Sequence, residues 1–256
     1  MEGCGIKVRR FRTAQRAADT LALEFAAAIR ERPTIVLGLP TGLTPVPVYD
    51  ALIALHRSGL VDFSQTRIFN LDEFVGISGD DPRSYRAFMQ RHLFDHVNVS
   101  RRQQHFLNGV ATDVEQECRR YERALHRAGG LELLLLGIGV NGHVGFNEPA
   151  ESLQAAAHEA RLRPSTRRAN RHLFGNRLAL VPRSALSLGM AAILQARRIV
   201  LLATGVAKAH AVAQAVSGPI TPKVPASLLQ LHGNVSVWVD DDAALRLGRS
   251  RGVSQE

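Results

Sequence analysis

The sequence predicts an α/β fold: a three-layer, doubly wound domain of Rossmann-like type with a mostly parallel sheet. Short apolar runs alternate with amphipathic stretches along the chain. The run from Leu133 to Leu136 is apolar at every position, as expected of a strand covered by helices on both faces. Several runs then break into glycine, threonine or acidic residues, as strand-to-helix connections do. With 256 residues, 45% of them hydrophobic, the chain can fill one large core. No repeat or low-complexity linker divides it, so residues 1–256 read as a single domain.

Residues 13–30 carry Ala17, Leu21, Leu23, Phe25 and Ile29 at helical spacing and open the fold with a helix. Residues 34–37 form a short strand that breaks at Gly38-Leu39-Pro40-Thr41-Gly42-Leu43-Thr44-Pro45, and residues 46–55 resume helical spacing. Residues 67–71 are a strand ending at Asp72-Glu73, and helices over 84–94 and 114–128 precede the strand that opens at Leu131. Downstream, 185–195 reads as a helix, 199–203 as a strand ending in Thr204-Gly205, 207–216 as a helix and 235–239 as a last strand. The polar tail, 249–256, reads as frayed. Ligands of such folds sit outside the carboxyl ends of the strands. Four polar strand ends could therefore share one crevice.

Composition narrows the function. No apolar run is long enough to span a bilayer, and the N-terminus, with Arg9, Arg10 and Arg12, lacks a signal-peptide pattern, so a cytoplasmic protein is expected. Cys4 and Cys118 are too few and too far apart for a metal cluster and read as reduced thiols. A net charge of +9 invites a nucleic-acid reading, but the arginines are scattered and few aromatics stand between them to stack on bases. No nucleic-acid or membrane partner is expected. Arg161, Arg163, Arg167, Arg168, Arg171, Arg177 and Arg183 do cluster, as a solvated helix or as a basic lid over an anion.

The Thr41-Gly42-Leu43-Thr44 turn opens a helix, where backbone N–H groups and hydroxyls can cradle a phosphate. Thr41 or Thr44 serves equally as a simple helix cap. Lysine is rare here, occurring only as Lys7, Lys208 and Lys223, and Lys208 lies on the first turn of the helix after Thr204-Gly205. Its ammonium could pair a phosphate or lie along the surface. Asp72 and Glu73 point to opposite faces of their strand, so one can enter the crevice as a general base while the other caps or pairs elsewhere. After the 131–136 run, Gly137, Gly139 and Gly142 precede His143 and Glu148, a carboxylate-oriented imidazole suited to moving protons near neutral pH. No His or Cys set with metal-ligand spacing accompanies them, and no Gly-x-Ser-x-Gly elbow is present, so acid/base chemistry without a metal is expected.

Six segments in this order resemble the glucosamine-6-phosphate deaminase (isomerase) family over almost the whole chain: Leu37-Gly38-Leu39-Pro40-Thr41-Gly42, Phe69-Asn70-Leu71-Asp72-Glu73-Phe74, Ser84-Tyr85, Gly137-Ile138-Gly139-Val140-Asn141-Gly142-His143, Phe146-Asn147-Glu148-Pro149, and Pro225-Ala226-Ser227-Leu228-Leu229-Gln230-Leu231-His232. The resemblance implies an aldose-to-ketose isomerisation coupled to loss of ammonia, from an amino-sugar 6-phosphate to fructose 6-phosphate, with no metal or organic cofactor. It implies that His143, supported by Asn141 and Glu148, opens the pyranose ring and that Asp72 shuttles the C2 proton to C1. Thr41, Gly42, Leu43, Thr44 and Lys208 match the phosphate turn and its lysine.

Several positions depart from the family pattern. Asn141 stands where the family often has Asp, and Leu43 replaces a second glycine. His172 occupies the place of a phosphate-binding Arg, for which Arg168 or Arg171 would have to substitute. The segment around Glu151, His158 and Ala160 lacks the basic set of allosterically activated members. Residues 158–187 are expected to form a lid, and the sequence is compatible with a homo-oligomer. The alternatives are a 6-phosphogluconolactonase-like hydrolase, a galactosamine-6-phosphate deaminase, and a sugar-phosphate-sensing domain without catalysis.

Overall fold

The structure, a computed structural model, describes residues 6–248 and 253–255. Along the chain run β1 (Lys7–Phe11), α1 (Ala14–Glu31), β2 (Val36–Leu39), α2 (Val46–Arg57), β3 (Arg67–Asn70), β4 (Asp72–Phe74) and α3 (Tyr85–His92). There follow β5 (Gln104–His105), α4 (Val114–Arg127), β6 (Leu133–Gly137), β7 (His158–Arg161) and α5 (Pro164–Asn170). The chain continues through β8 (Ser184–Ser187), α6 (Met190–Leu194), β9 (Arg198–Ala203), α7 (Ala209–Ser217), β10 (Val235–Asp240) and β11 (Val253–Gln255). One sheet has the order β11-β1-β10-β9-β6-β2-β3-β5, and every neighbouring pair in it is parallel. A second, antiparallel sheet has the order β4-β8-β7.

The continuous apolar run of β6 is read out on two faces. Leu133 and Leu135 pack into a core with α1, α2 and α3, whereas Leu134 and Leu136 pack into a core with α4, α6 and α7. Strand order reverses between β2 and β6, because β2 continues to β3 and β5 on one side while β6 continues to β9 and β10 on the other. The loops leaving these two neighbours diverge and open a crevice at the carboxyl edge.

Three sequence expectations change. Residues 185–195, read as one helix from their Ala and Leu content, divide into strand β8 and the short α6. Antiparallel pairing with both β4 and β7 overrides the local preference, and Gly189 lies so close to the carbonyls of Ala155 and Ala156 that a side chain has no room. Strand β1 escaped notice because Arg9 and Arg10 interrupt its pattern. Arg9 lies over the Trp238 ring at 4.0 Å, and Arg10 pairs Asp241 at 2.6 Å. Of the tail expected to fray, Val253–Gln255 instead pair with β1, whose edge would otherwise expose unpaired backbone groups; residues 249–252 and 256 lie outside the described residues. Cys4 is also outside them, whereas Cys118 is buried as a free thiol, with burial pushing its pKa up to about 11.

The small sheet is held to the body by a third apolar cluster that includes Phe74, Tyr85, Phe146, Leu162, Phe174 and Val181. Phe74 is central to it, with ring centroids 4.7 Å from Tyr85, 5.7 Å from Phe146 and 5.4 Å from Phe174. Phe74→Ala should therefore cost about 3–5 kcal/mol in denaturant-induced unfolding. It should also expose residues 163–183 to proteolysis before the rest of the chain; a loss under about 1 kcal/mol would show that the cluster does not anchor this segment.

Candidate active site

A cavity of about 320 Å³ lies over the carboxyl ends of β2, β3, β6 and β9. Its wall includes Thr41, Gly42, Leu43 and Thr44 after β2, Asp72 after β3, Gly137 to Val140 and His143 after β6, and Lys208 after β9. Tyr85 of α3 and Ser165, Thr166, Ala169, Asn170 and His172 of the 158–187 segment close it. Thus all four strand ends singled out in the sequence meet at one place.

The phosphate-type turn lines the cavity, where the Thr41 side chain meets the Tyr85 hydroxyl. Helix α2 begins after Pro45 with no side-chain cap, so Thr41 and Thr44 are not spent on capping. Gly42 has φ +98°, a left-handed conformation that favours glycine at this sharp turn. Lys208 is half-buried rather than spread on the surface, and its Nζ donates to the Ile138 carbonyl at 2.6 Å. Burial lowers its pKa, a penalty that an anion beside it would offset.

Asp72 and Glu73 separate as strand alternation requires. Asp72 faces the cavity, and Glu73, 1% exposed, faces away. Burial, and then the neighbouring Glu73 charge, push the Asp72 carboxyl up to about 8. A carboxyl so placed is a strong base once ionised.

His143 is positioned by a chain of polar contacts. Its Nδ1 lies 2.7 Å from Asn141 Oδ1, and Asn141 Nδ2 donates to Glu148 Oε2 at 2.8 Å, which fixes the amide orientation. Glu148 Oε2 is itself 3.6 Å from Nδ1, and Glu148 Oε1 accepts from the Arg163 backbone N–H at 3.1 Å. Burial alone would raise the Glu148 carboxyl, but contact with His143, its charge, Thr166 and Asn141 outweigh it and the pKa is lowered. A fixed negative charge therefore stands behind the imidazole, with a neutral amide between, and Nε2 is left for the cavity. Gly139 is required beneath the ring, since a Cβ there would fall 2.2 Å from His143 Cε1. The Pro225 segment backs the same loop, where Ala226 N donates to the Gly142 carbonyl at 2.9 Å.

Other expectations part company with the structure. Arg171 and Arg168 are exposed and not on the cavity wall, and none of the seven clustered arginines lines it. Arg163 and Arg167 instead donate to carbonyls, Arg163 to Pro149 at 2.5 Å and Arg167 to Leu178 and Val181, fastening the segment to itself and to the body. His172 does reach the wall, with Nδ1 2.9 Å from the Ala169 carbonyl. Tyr85, Thr166 and Asn170 were not singled out as site residues. The Tyr85 hydroxyl donates to Asn170 Oδ1 at 3.0 Å, and Thr166 Oγ1 is 3.4 Å from His143 Nδ1. Only the Ser84-Tyr85 pair carried a signal in the sequence. Among the described residues no group of three or more His, Cys, Asp or Glu side chains is arranged to hold a metal ion, and no helix is long and apolar enough to cross a membrane.

The Asp72 environment has a measurable sign. Its folded pKa of about 8 is raised above the ordinary carboxylate value of about 4, so the folded state holds the proton more tightly and loses stability as pH rises between the two. Asp72→Asn removes that loss. The variant's stability relative to the parent, measured by denaturant unfolding, should increase with pH across this window and level off above it; a flat difference would place Asp72 in a solvated environment.

Known proteins share much of this sequence and its fold. The family model for glucosamine-6-phosphate isomerases/6-phosphogluconolactonase matches residues 9–238. A glucosamine-6-phosphate deaminase 2 from Giardia intestinalis is 46% identical over 234 residues, spanning 91% of this chain and 89% of its own. A glucosamine-6-phosphate deaminase from Clostridium perfringens (strain 13 / Type A) is 45% identical over 223 residues, spanning 87% of this chain and 92% of its own. A solved monomeric glucosamine-6-phosphate deaminase is 40% identical and superposes with a TM-score of 0.91, covering 94% of this chain and 100% of that one. The 6-phosphogluconolactonase from Leishmania guyanensis, at 20% identity and TM-score 0.72 over 96% of this chain and 100% of its own, shares the fold alone. With a family model matched over most of its length and relatives of this identity, this chain belongs to the glucosamine-6-phosphate isomerase/6-phosphogluconolactonase family.

Proposed function

We propose that this chain is a glucosamine-6-phosphate deaminase, converting glucosamine 6-phosphate and water to fructose 6-phosphate and ammonia. The observation that carries the reading is the presence of a buried carboxyl, Asp72, and an oriented imidazole, His143, on the wall of one cavity that also holds the Thr41–Thr44 turn and Lys208. In this reading the 6-phosphate binds the turn's N–H groups and hydroxyls and Lys208 Nζ, with His172 adjoining. Lactonase relatives at the identity quoted above support the fold but not that activity.

His143 Nε2 takes the C1 hydroxyl proton and passes a proton to the ring oxygen as the C1–O5 bond breaks, and the ring opens to the aldehyde. Its Nδ1 rests on Asn141, whose amide orients the ring without taking a proton, while Glu148 supplies the countercharge. The Asp72 carboxylate then removes the C2 proton while the C1 carbonyl oxygen takes one from water, forming an enolamine, and Asp72 returns its proton to C1 to leave a protonated C2 imine. Water adds to the resulting C2 imine, the C–N bond breaks and ammonia leaves. Residues 158–187 act as a lid that keeps bulk water from this sequence, and a charged sugar-phosphate substrate, which does not cross membranes unaided, fits work in the cytoplasm. No metal or organic cofactor enters any step.

Purified protein should release ammonia from glucosamine 6-phosphate faster than from galactosamine 6-phosphate in a side-by-side assay. Turnover of 6-phosphogluconolactone without ammonia release from either amino sugar would overturn the proposal. Asp72→Asn should slow solvent exchange of the C2 proton by roughly 10²–10⁴-fold, as loss of a general base does. Lys208→Ala should mainly raise KM, by ~10-fold or more, consistent with lost ground-state binding of the phosphate; an unchanged KM would put Lys208 outside the phosphate site.

A further inference from the structure

Glu73 is a buried ionisable group that the mechanism above leaves unused. It sits on the far face of β4 from the cavity, one residue from Asp72, and is 1% exposed. Its Oε1 accepts the backbone N–H groups of Phe74 at 2.9 Å and Tyr85 at 3.0 Å, and its Oε2 accepts that of Arg86 at 3.0 Å. Tyr85 and Arg86 open α3, and Ser84 Oγ takes the next donor, Ala87 N, at 2.9 Å. The first turn of α3 is thus held from another element by a full carboxylate. An amide in its place could accept on one oxygen only and would set a donor against the Arg86 N–H.

The consequence reaches the cavity. Asp72 and Glu73 are adjacent and both buried, and two such carboxylates do not ionise together easily. Glu73 has three N–H donors and the positive end of a helix; the Asp72 carboxylate has no hydrogen-bond donor among the described residues. The negative charge therefore settles on Glu73 first. Burial works against it and pushes Glu73 up to about 7, while the three backbone donors pull it down. The other groups facing the pair are the Tyr49, Tyr85 and Tyr121 phenols from α2, α3 and α4, held neutral by burial, His143 and Lys208 on the cavity wall, and Asp81, which is paired with Arg83.

We propose that Glu73 is a positioning residue of the reaction, whose fixed charge strengthens Asp72 as a base and whose grip on α3 sets Tyr85 as the cavity wall. This rests on the deaminase reading only for its kinetic arm. In Glu73→Gln the acid limb of the kcat/KM profile, which needs ionised Asp72, should move down by about one pH unit, because a neighbouring charge has gone. The kcat at the optimum should fall about 10-fold or more, with KM changed less than about threefold.

A second readout needs no turnover. The pH at which the stability gain of Asp72→Asn over its parent levels off, which marks the folded pKa of Asp72, should also move down when measured in the Glu73→Gln background. Ser84→Ala, which removes a cap from the same helix end without removing charge, should lower Tm and leave both pH positions in place. If Glu73→Gln does not fold, Glu73→Asp carries the test: a limb in the parent's place with lowered kcat supports the proposal, and a limb moved down overturns it. A Glu73→Gln protein that folds with both pH positions unmoved would reduce Glu73 to a helix cap. If the parent releases no ammonia, the deaminase reading fails while the stability arm still decides the role of Glu73.

Discussion

The site depends on the uniform direction of the large sheet. Because all eight strands run parallel, the connections after β2, β3, β6 and β9 leave at one edge. The reversal of strand order between β2 and β6 then parts those connections and leaves a cavity between them. Residues more than a hundred apart in the chain, from Thr41 to Lys208, share its wall for this reason alone. An antiparallel arrangement would have sent alternate loops to the opposite edge.

Within that frame, the chemistry is set by burial of polar groups and by how each is satisfied. Asp72, buried beside the charge of Glu73, holds its proton strongly, whereas Glu73 accepts three backbone donors. Behind His143, Glu148 stays below the ordinary carboxylate range through its neighbours despite burial. Carboxylates in one site are thereby pushed in opposite directions by environment, the usual physical sign of divided acid and base roles. Asn141 adds specificity of orientation without adding a proton-transfer partner, because both ends of its amide are committed.

Legibility of the sequence followed range of interaction. Helices with clear amphipathic spacing, such as α1 and α4, and the doubly buried β6 lay within a residue or two of expectation. The Asp72–Glu73 alternation was readable because side chains on a strand must alternate. The small sheet was not, since the Ala and Leu of β8 favour helix locally and become strand only through pairing with β4 and β7. Of the two readings open for the arginine cluster, solvation holds, since Arg161, Arg163, Arg168, Arg171, Arg177 and Arg183 are exposed; composition does not record that Arg163 and Arg167 also donate to carbonyls.

What the sequence by itself determined was the layered α/β class, the four polar strand ends and the motifs that assign the family, all consequences of local periodicity and residue chemistry. Only the tertiary structure decided that Thr41 and Thr44 are not helix caps, that Glu73 rather than Asp72 takes the cap, and that Tyr85, Thr166 and Asn170 complete the cavity. Those outcomes turn on which donor meets which acceptor across distant segments. No window of sequence contains both partners.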